Sequence, residues 1–326
     1  MINYCYAFVI ATLLLVGCES RMDGTPKDSK ELQDNQWPDE SISDSYVQIL
    51  GVAQDAGYPQ INCDQEHCQN YWNGLEPKRR VSSLGIINRV DSTFWILDAT
   101  PDFPSQFQEL KTTVDKGYLA GIFLTHAHIG HYTGLMYLGH EAMGADEVPV
   151  YMMPKMLEFI RNYGPWSQLV SFRNIHPVSL TNNKAVSLGR GIDVEPILVP
   201  HRDEYSETVG YRVTGPSKSL LYIPDINKWE LWNRSIIDEI SKVDYALLDA
   251  TFYDADELPG RNMEDIPHPF VQESMELFKH LNEEERAKIM FIHFNHTNPL
   301  LFNTPERNLV LQKGYKIAEE GMRLSL

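Results

Sequence analysis

Apolar and polar positions along the chain follow two periods, one of two residues and one near 3.6, and the switches between them mark the elements. Residues 46–53 alternate and then run apolar, as a first strand does, and 54–60 is a turn-rich loop. Segments 82–90 and 93–97 read as two strands turning at Asp91-Ser92. The second ends in Asp98-Ala99-Thr100-Pro101-Asp102, from which a helix runs through residue 114. A short apolar run at 121–124 predicts a buried strand, followed by helical spacing over 132–143. Further strands are expected at 148–153, 192–199, 207–213, 219–223, 245–248 and 289–294. Helices are expected at 154–163, opened by Pro154, and at 227–240 and 269–281. Strand pairs mixed with helices, twice over, predict an α/β fold of two packed mixed sheets with helices outside. No internal sequence repeat is visible, and residues 46–326 read as one domain.

The first 45 residues follow other rules. Residues 7–17 form an apolar run of signal-peptide length, too short for a comfortable membrane span. It ends in Leu14-Leu15-Val16-Gly17-Cys18, which resembles a bacterial lipobox. The expectation is a lipoprotein signal peptide over 1–18, with Cys18 lipidated after cleavage. Residues 19–45 are polar and cannot bury enough apolar surface to offset their chain entropy, so they read as a disordered tether. Together these predict an exported protein anchored to a membrane of the cell envelope, the outer membrane or cell surface.

Composition narrows the partners. A formal charge of −17 argues against an extended nucleic-acid surface, which needs clustered Lys and Arg, and leaves a small-molecule substrate. The four cysteines, Cys5, Cys18, Cys63 and Cys68, are too few for a disulfide framework.

The chemistry concentrates in Thr125-His126-Ala127-His128-Ile129-Gly130-His131, where three of the chain's 11 histidines follow a buried strand. His126 and His128 are two apart in an extended stretch, so both imidazoles project to one side. With His131 they offer three nitrogen donors for a zinc-like ion that keeps open positions. The segment resembles the HxHxDH signature of the metallo-β-lactamase-fold hydrolases, with Gly130 where that family has aspartate.

This resemblance implies a four-layer αββα sandwich and further ligands at strand ends. Candidates stand where expected: His201 after 197–199, Asp225 after 219–223 and His293 after the last strand. It assigns His126, His128 and His201 to a first metal position, and His131, His293 and a shared Asp225 to a second. Since the family's aspartate ligates the second ion, Gly130 leaves that position one ligand short and its ion more weakly held. One or two zinc ions are expected, with iron as the alternative, because histidine and carboxylate serve either.

The segment Asn62-Cys63-Asp64-Gln65-Glu66-His67-Cys68, preceded by Gly57-Tyr58-Pro59-Gln60, resembles the start of the pyrroloquinoline quinone biosynthesis protein B family. It is also similar to phosphodiesterases of the carbon-phosphorus lyase pathway. Both carry a C-x-C-x-x-C pattern that holds a structural zinc; here Gln65 stands at the middle cysteine. The resemblance implies a structural zinc on Cys63, Cys68, His296 and either His67 or Asp64. A Cys63–Cys68 disulfide is the competing reading for an exported protein. Asp249-Ala250-Thr251-Phe252 with Pro267-His268 resembles the paired acid and histidine of the phosphodiesterases, in which Asp249 would orient His268 to protonate a leaving oxygen.

The expected function is hydrolysis of a phosphodiester or other ester, with water acidified by metal, positioned by Asp225, and His268 as general acid. Two alternatives stay open: an iron-dependent oxygenase of quinone-cofactor biosynthesis, and a non-catalytic ligand-binding lipoprotein.

Overall fold

The computed structural model describes residues 43–202, 204–258, 260, 262 and 266–326. The expected signal peptide, Cys18 and nearly all of the expected tether lie outside the described residues. The first strand starts at Ser45, at the far edge of the expected tether.

The first half of the chain forms β1 (Ser45–Gly51), α1 (Glu66–Trp72), β2 (Ser83–Asn88), β3 (Thr93–Leu97), α2 (Phe103–Thr113), β4 (Tyr118–Phe123), α3 (Ile129–Tyr132), β5 (Val148–Met152), α4 (Pro154–Asn162), α5 (Trp166–Ser171) and β6 (Ile175–Ser179). The second half forms β7 (Val186–Gly189), β8 (Ile192–Leu198), β9 (Val209–Thr214), β10 (Ser219–Ile223), α6 (Ile236–Ile240), β11 (Tyr245–Asp249), α7 (Val271–Leu277), α8 (Glu283–Lys288), β12 (Ile289–Ile292), α9 (Pro305–Gln312), β13 (Lys316–Ile317) and β14 (Arg323–Ser325). One sheet has the order β14-β1-β2-β3-β4-β5-β6 and the other β13-β12-β11-β10-β9-β8-β7. Counted from β14, three antiparallel pairings give way to three parallel ones. Counted from β7, the second sheet repeats that pattern. The chain thus winds one topology twice without a matching repeat in sequence.

The sheets face each other through side chains that alternate along their strands. Phe123 stacks on Tyr151 with ring centroids 4.3 Å apart and meets Tyr211 of the opposite sheet edge-on at 5.7 Å. Tyr211 donates its hydroxyl to the Leu124 carbonyl, and Ser82 and Tyr222 hydroxyls meet at 3.1 Å. On the outer face of the first sheet, Phe94, Ile96, Ile122 and Val150 pack with Phe103 and Leu110 of α2 and Met156 and Ile160 of α4. This is the expected helix–sheet–sheet–helix layering.

Two expected helices are broken up. Instead of a helix over 132–143, α3 passes into a 3₁₀ segment, Thr133–Leu138. There Gly134 donates its N–H to Ala99, and a Cβ at 134 would lie 2.2 Å from the Thr100 carbonyl oxygen, so the turn is set by tertiary packing. Residues 227–240 give a 3₁₀ turn, Trp229–Leu231, and then α6. Trp232 Nε1 is drawn to the Leu198 carbonyl, and Ser235 caps a fresh start by accepting from Asp238 N–H. Among the described residues no helix is long and apolar enough to cross a membrane.

The parallel strands carry the consequence for function. In both sheets their carboxyl ends lie along one edge, where crevices of α/β proteins take ligands. Close packing there leaves little tolerance: a Cβ on Gly51 would lie 1.9 Å from the Val81 carbonyl oxygen. Gly51→Ala is expected to lower stability by about 1–3 kcal/mol, as overpacking does, read from the midpoint of urea unfolding.

Candidate metal centre

Four side chains meet first: His126, His128, His201 and Asp225, their ligand atoms all within 4.8 Å of one another. His126 Nε2 lies 3.3 Å from Asp225 Oδ2 and His201 Nε2 lies 3.2 Å from Asp225 Oδ1. His128 turns Nδ1 toward Asp225 at 3.8 Å and Nε2 toward the exposed Arg202 at 3.2 Å. The structure thus places together the four residues that the sequence analysis grouped.

The second group is Asp55, His131, Asp225 and His293, likewise within 4.8 Å. Here the structure adds a residue to the expected His131, His293 and Asp225. Beyond the shared Asp225 no carboxylate was foreseen beside His131 and His293, yet Asp55 from the 54–60 loop stands with Oδ1 3.0 Å from His131 Nε2 and 3.6 Å from His293 Nε2. Asp98 is the other residue that sequence reading passed over. It ends β3 buried, and its carboxylate receives His131 Nδ1–H at 2.8 Å.

Neighbouring groups fix which nitrogen each ring offers. Thr125 Oγ1 donates to Asp98, so it accepts from His126 Nδ1–H at 2.9 Å and leaves Nε2 bare. Thr251 Oγ1 donates to Asp249 at 2.7 Å and accepts from His293 Nδ1–H at 3.0 Å, with the same result. His201 Nδ1–H goes to Asn227 Oδ1 at 3.1 Å. Partners of this kind orient metal-binding imidazoles. Two of the participants sit in the left-handed region: Asp98 at φ 67° and His293 at φ 69°. Such residues persist only where their surroundings over-determine them.

Charge agrees with geometry. Burial opposes ionisation of Asp225, but His201 and His268 beside it hold its carboxyl well below the usual range. Burial likewise works against Asp55, whose carboxyl His131 and His293 hold well below the usual range. Burial works against a charged His131, yet Asp98 and Asp55 hold its pKa well above that of ordinary histidine. Burial and the neighbouring His131 push His126 well down, keeping it neutral.

A divalent ion fits both groups. Ligands of one tetrahedral ion at histidine and carboxylate distances lie about 3.4 Å apart, and the donor separations of 3.0–3.3 Å across His126–Asp225, His201–Asp225, His131–Asp55 and His131–His293 match that span. The buried His126 Nε2, His201 Nε2 and Asp225 Oδ1 make no hydrogen bond, as atoms reserved for an ion would.

His268 stands beside these groups. Its Nδ1 lies 2.9 Å from Asp249 Oδ2 and 3.2 Å from Asp225 Oδ1. Burial opposes its charge, but Asp249 and then Asp225 outweigh it and hold its pKa at about 9. It lines a cavity of about 520 Å³ together with His128, His201, Asp225 and Arg202.

The cysteine segment forms a separate cluster of Cys63, His67, Cys68 and His296, again with ligand atoms within 4.8 Å. Neither thiol is in a disulfide. The fourth member is His67, and Asp64 is not in the group. Cys63 Sγ and His67 Nε2 are 3.6 Å apart, the separation of sulfur and nitrogen ligands on one tetrahedral zinc, about 3.6 Å. Burial and then His67 push His296 down to about 4, so it offers a neutral ring.

Fold and clusters together define a metallo-β-lactamase-type sandwich with metal-ligating side chains at its strand ends. A family model described as the beta-lactamase superfamily domain matches residues 94–294, and the chain belongs to that family. Among curated proteins it is similar to coenzyme PQQ synthesis protein B of Klebsiella pneumoniae (strain 342), 25% identical over 311 residues that cover 86% of this chain and 98% of the relative. The same protein from Pseudomonas putida (strain KT2440) is 26% identical over 307 residues, covering 86% and 100%. Zn(2+)-bound PqqB from Methylobacterium extorquens shares the fold with a TM-score of 0.71 and 23% identity, covering 86% of this chain and all of that one. A diphosphatase from the PhnP family has a TM-score of 0.60 and 22% identity, covering 86% and 98%.

The cysteine cluster ties α1 to the turn after β12. Cys63→Ser is expected to remove one metal ion per chain, measured by elemental analysis, and to leave the remaining content unchanged; full metal content in the variant would disprove the cluster's role.

Proposed function

We propose that this chain is a zinc-dependent hydrolase of small phosphodiesters or related phosphoesters. One observation carries the reading: a histidine outside both ligand groups, His268, is held by Asp249 against Asp225 at the wall of the same cavity. A metal centre that only bound a ligand would not need an oriented proton donor beside it.

Zinc in these groups supplies a Lewis acid and brings the pKa of water toward neutrality. Asp225, set between His126, His201 and His268, orients the attacking water. Asp249 accepts from His268 Nδ1–H, so Nε2 is the atom left to hand a proton to the leaving oxygen. Arg202, Gln54 and Asn295 give the cavity a polar side, and Phe252 and Ile266 an apolar one. That suits a small substrate with an anionic group and an apolar end. The fold-level likeness to a diphosphatase supports the same chemistry.

The similarity to coenzyme PQQ synthesis protein B favours a second reading, in which the same histidines and Asp225 hold iron and the chain oxidises a quinone precursor with oxygen. Turnover in anaerobic buffer supports hydrolysis; strict dependence on oxygen supports the oxygenase.

We further propose that Cys18 anchors the protein to a membrane by lipidation, on the strength of the Leu14-Leu15-Val16-Gly17-Cys18 segment. Cys18→Ser is expected to move the protein from the membrane fraction to the soluble fraction. For the reaction, His268→Ala is expected to lower kcat by about 10²–10⁴-fold, the usual contribution of general acid catalysis, with metal content per chain unchanged. Parallel loss of metal and turnover would recast His268 as structural.

A further inference from the structure

We infer that Asp55 is a metal ligand of the second position, taking over the carboxylate role that the HxHxDH signature gives to the position of Gly130, and that Gly130 is glycine because Asp55 occupies its side-chain space. This rests on the site holding metal and is independent of which reaction it performs.

The steric evidence is direct. A Cβ built on Gly130 would lie 2.3 Å from Asp55 Cα, 2.7 Å from its Cβ and 2.8 Å from its Cγ. The first of these is a main-chain atom, which a rotamer change cannot move aside. Glycine at 130 is therefore not merely a lost ligand. The volume that an aspartate at 130 would fill is filled by an aspartate from elsewhere, pointing the same kind of group at the same two histidines.

The backbone holds Asp55 in place. Gln54 N–H donates to the Phe294 carbonyl at 2.8 Å, and Phe294 N–H returns to the Val52 carbonyl at 2.8 Å. Ala53 bridges both Val81 and Phe294, and Gly57 N–H closes the turn on the Gln54 carbonyl at 2.7 Å. The loop is thereby stitched to the residue next to His293. Asp55 Oδ1 lies 3.0 Å from His131 Nε2 and 3.6 Å from His293 Nε2, and Asp55 belongs with Asp225 to the same tight group. Two imidazole nitrogens and two carboxylates make a full set for a divalent ion.

Metal content tests this without any assay of turnover. The wild-type chain, reconstituted with zinc and dialysed against a weak chelator, is expected to hold about three ions, one in each of the two histidine–carboxylate groups around Asp225 described above and one in the cysteine cluster. Asp55→Ala and the more conservative Asp55→Asn are each expected to lose one ion and keep the other two. Gly130→Asp alone is expected to gain no ion and to melt at a lower temperature. Cobalt substitution adds a spectroscopic control: the thiolate charge-transfer band of the cysteine cluster should persist in every variant, showing that each has folded. Retention of all ions by both Asp55 variants would overturn the inference, as would a gain of metal in Gly130→Asp alone. A wild-type chain that held only the cysteine-cluster ion would instead refute the metal-centre reading itself.

Discussion

Positive charge is the one thing the polar centre of this fold cannot do without. Asp98, Asp225 and Asp249 are buried at strand ends, and Asp55 stands half-buried beside them. Carboxylates out of water need compensation that neutral hydrogen bonds supply only in part. Protons on His131 and His268 meet some of the demand, which is why their pKa values are held up against burial. Divalent ions meet it better. They let His131 and His293 face each other at 3.3 Å as neutral donors instead of competing for one proton.

The fold delivers that arrangement by a simple geometric means. Parallel strands in both sheets end along one edge, and the residues just past β3, β4, β10, β11 and β12 are Asp98, the histidine segment, Asp225, Ala250-Thr251 and His293. Two hydroxyls, on Thr125 and Thr251, act alike: each gives its proton to an aspartate and so must receive one from a histidine. The ring nitrogen facing the centre is left bare in both cases. Left-handed backbone at Asp98 and His293 costs about 1–3 kcal/mol apiece, set against these contacts.

Most of the centre was legible because strand-end histidines announce themselves. His126, His128 and His131 lie within six residues, and His201, Asp225 and His293 each close an apolar run. Asp55 was not legible, since nothing in a turn-rich loop says which distant imidazole its carboxylate will meet; only the approach of its main chain to Gly130 shows that. His67 could be named only as one of two candidates, because adjacent loop positions differ in direction and not in spacing. In the fold, β6 was missed because it contains Pro177, yet β6 is an edge strand, where a missing N–H is tolerated. The segments 132–143 and 227–240 looked helical by period and were divided by contacts to Ala99 and Leu198 that lie outside any local window. The doubling itself was legible in strand pairs and helices that occur twice, but the order and direction of the strands were not, because strand polarity leaves no trace in residue identity.

The contact between Asp55 and residue 130 also restricts how such a centre changes over time. Carboxylates at both positions cannot coexist, since any side chain at 130 meets the main chain of residue 55 at 2.3 Å. A lineage exchanging one arrangement for the other therefore has one open route, in which the main chain of residues 54–60 draws back from residue 130 before a side chain appears there. On that route His131, His293 and Asp225 alone face the second ion, so the intermediate is the weak binder that Gly130 by itself first suggested. The value of either residue is then undefined without the other, and a chain judged by position 130 alone would be counted among degenerate centres when its ligand has only changed address.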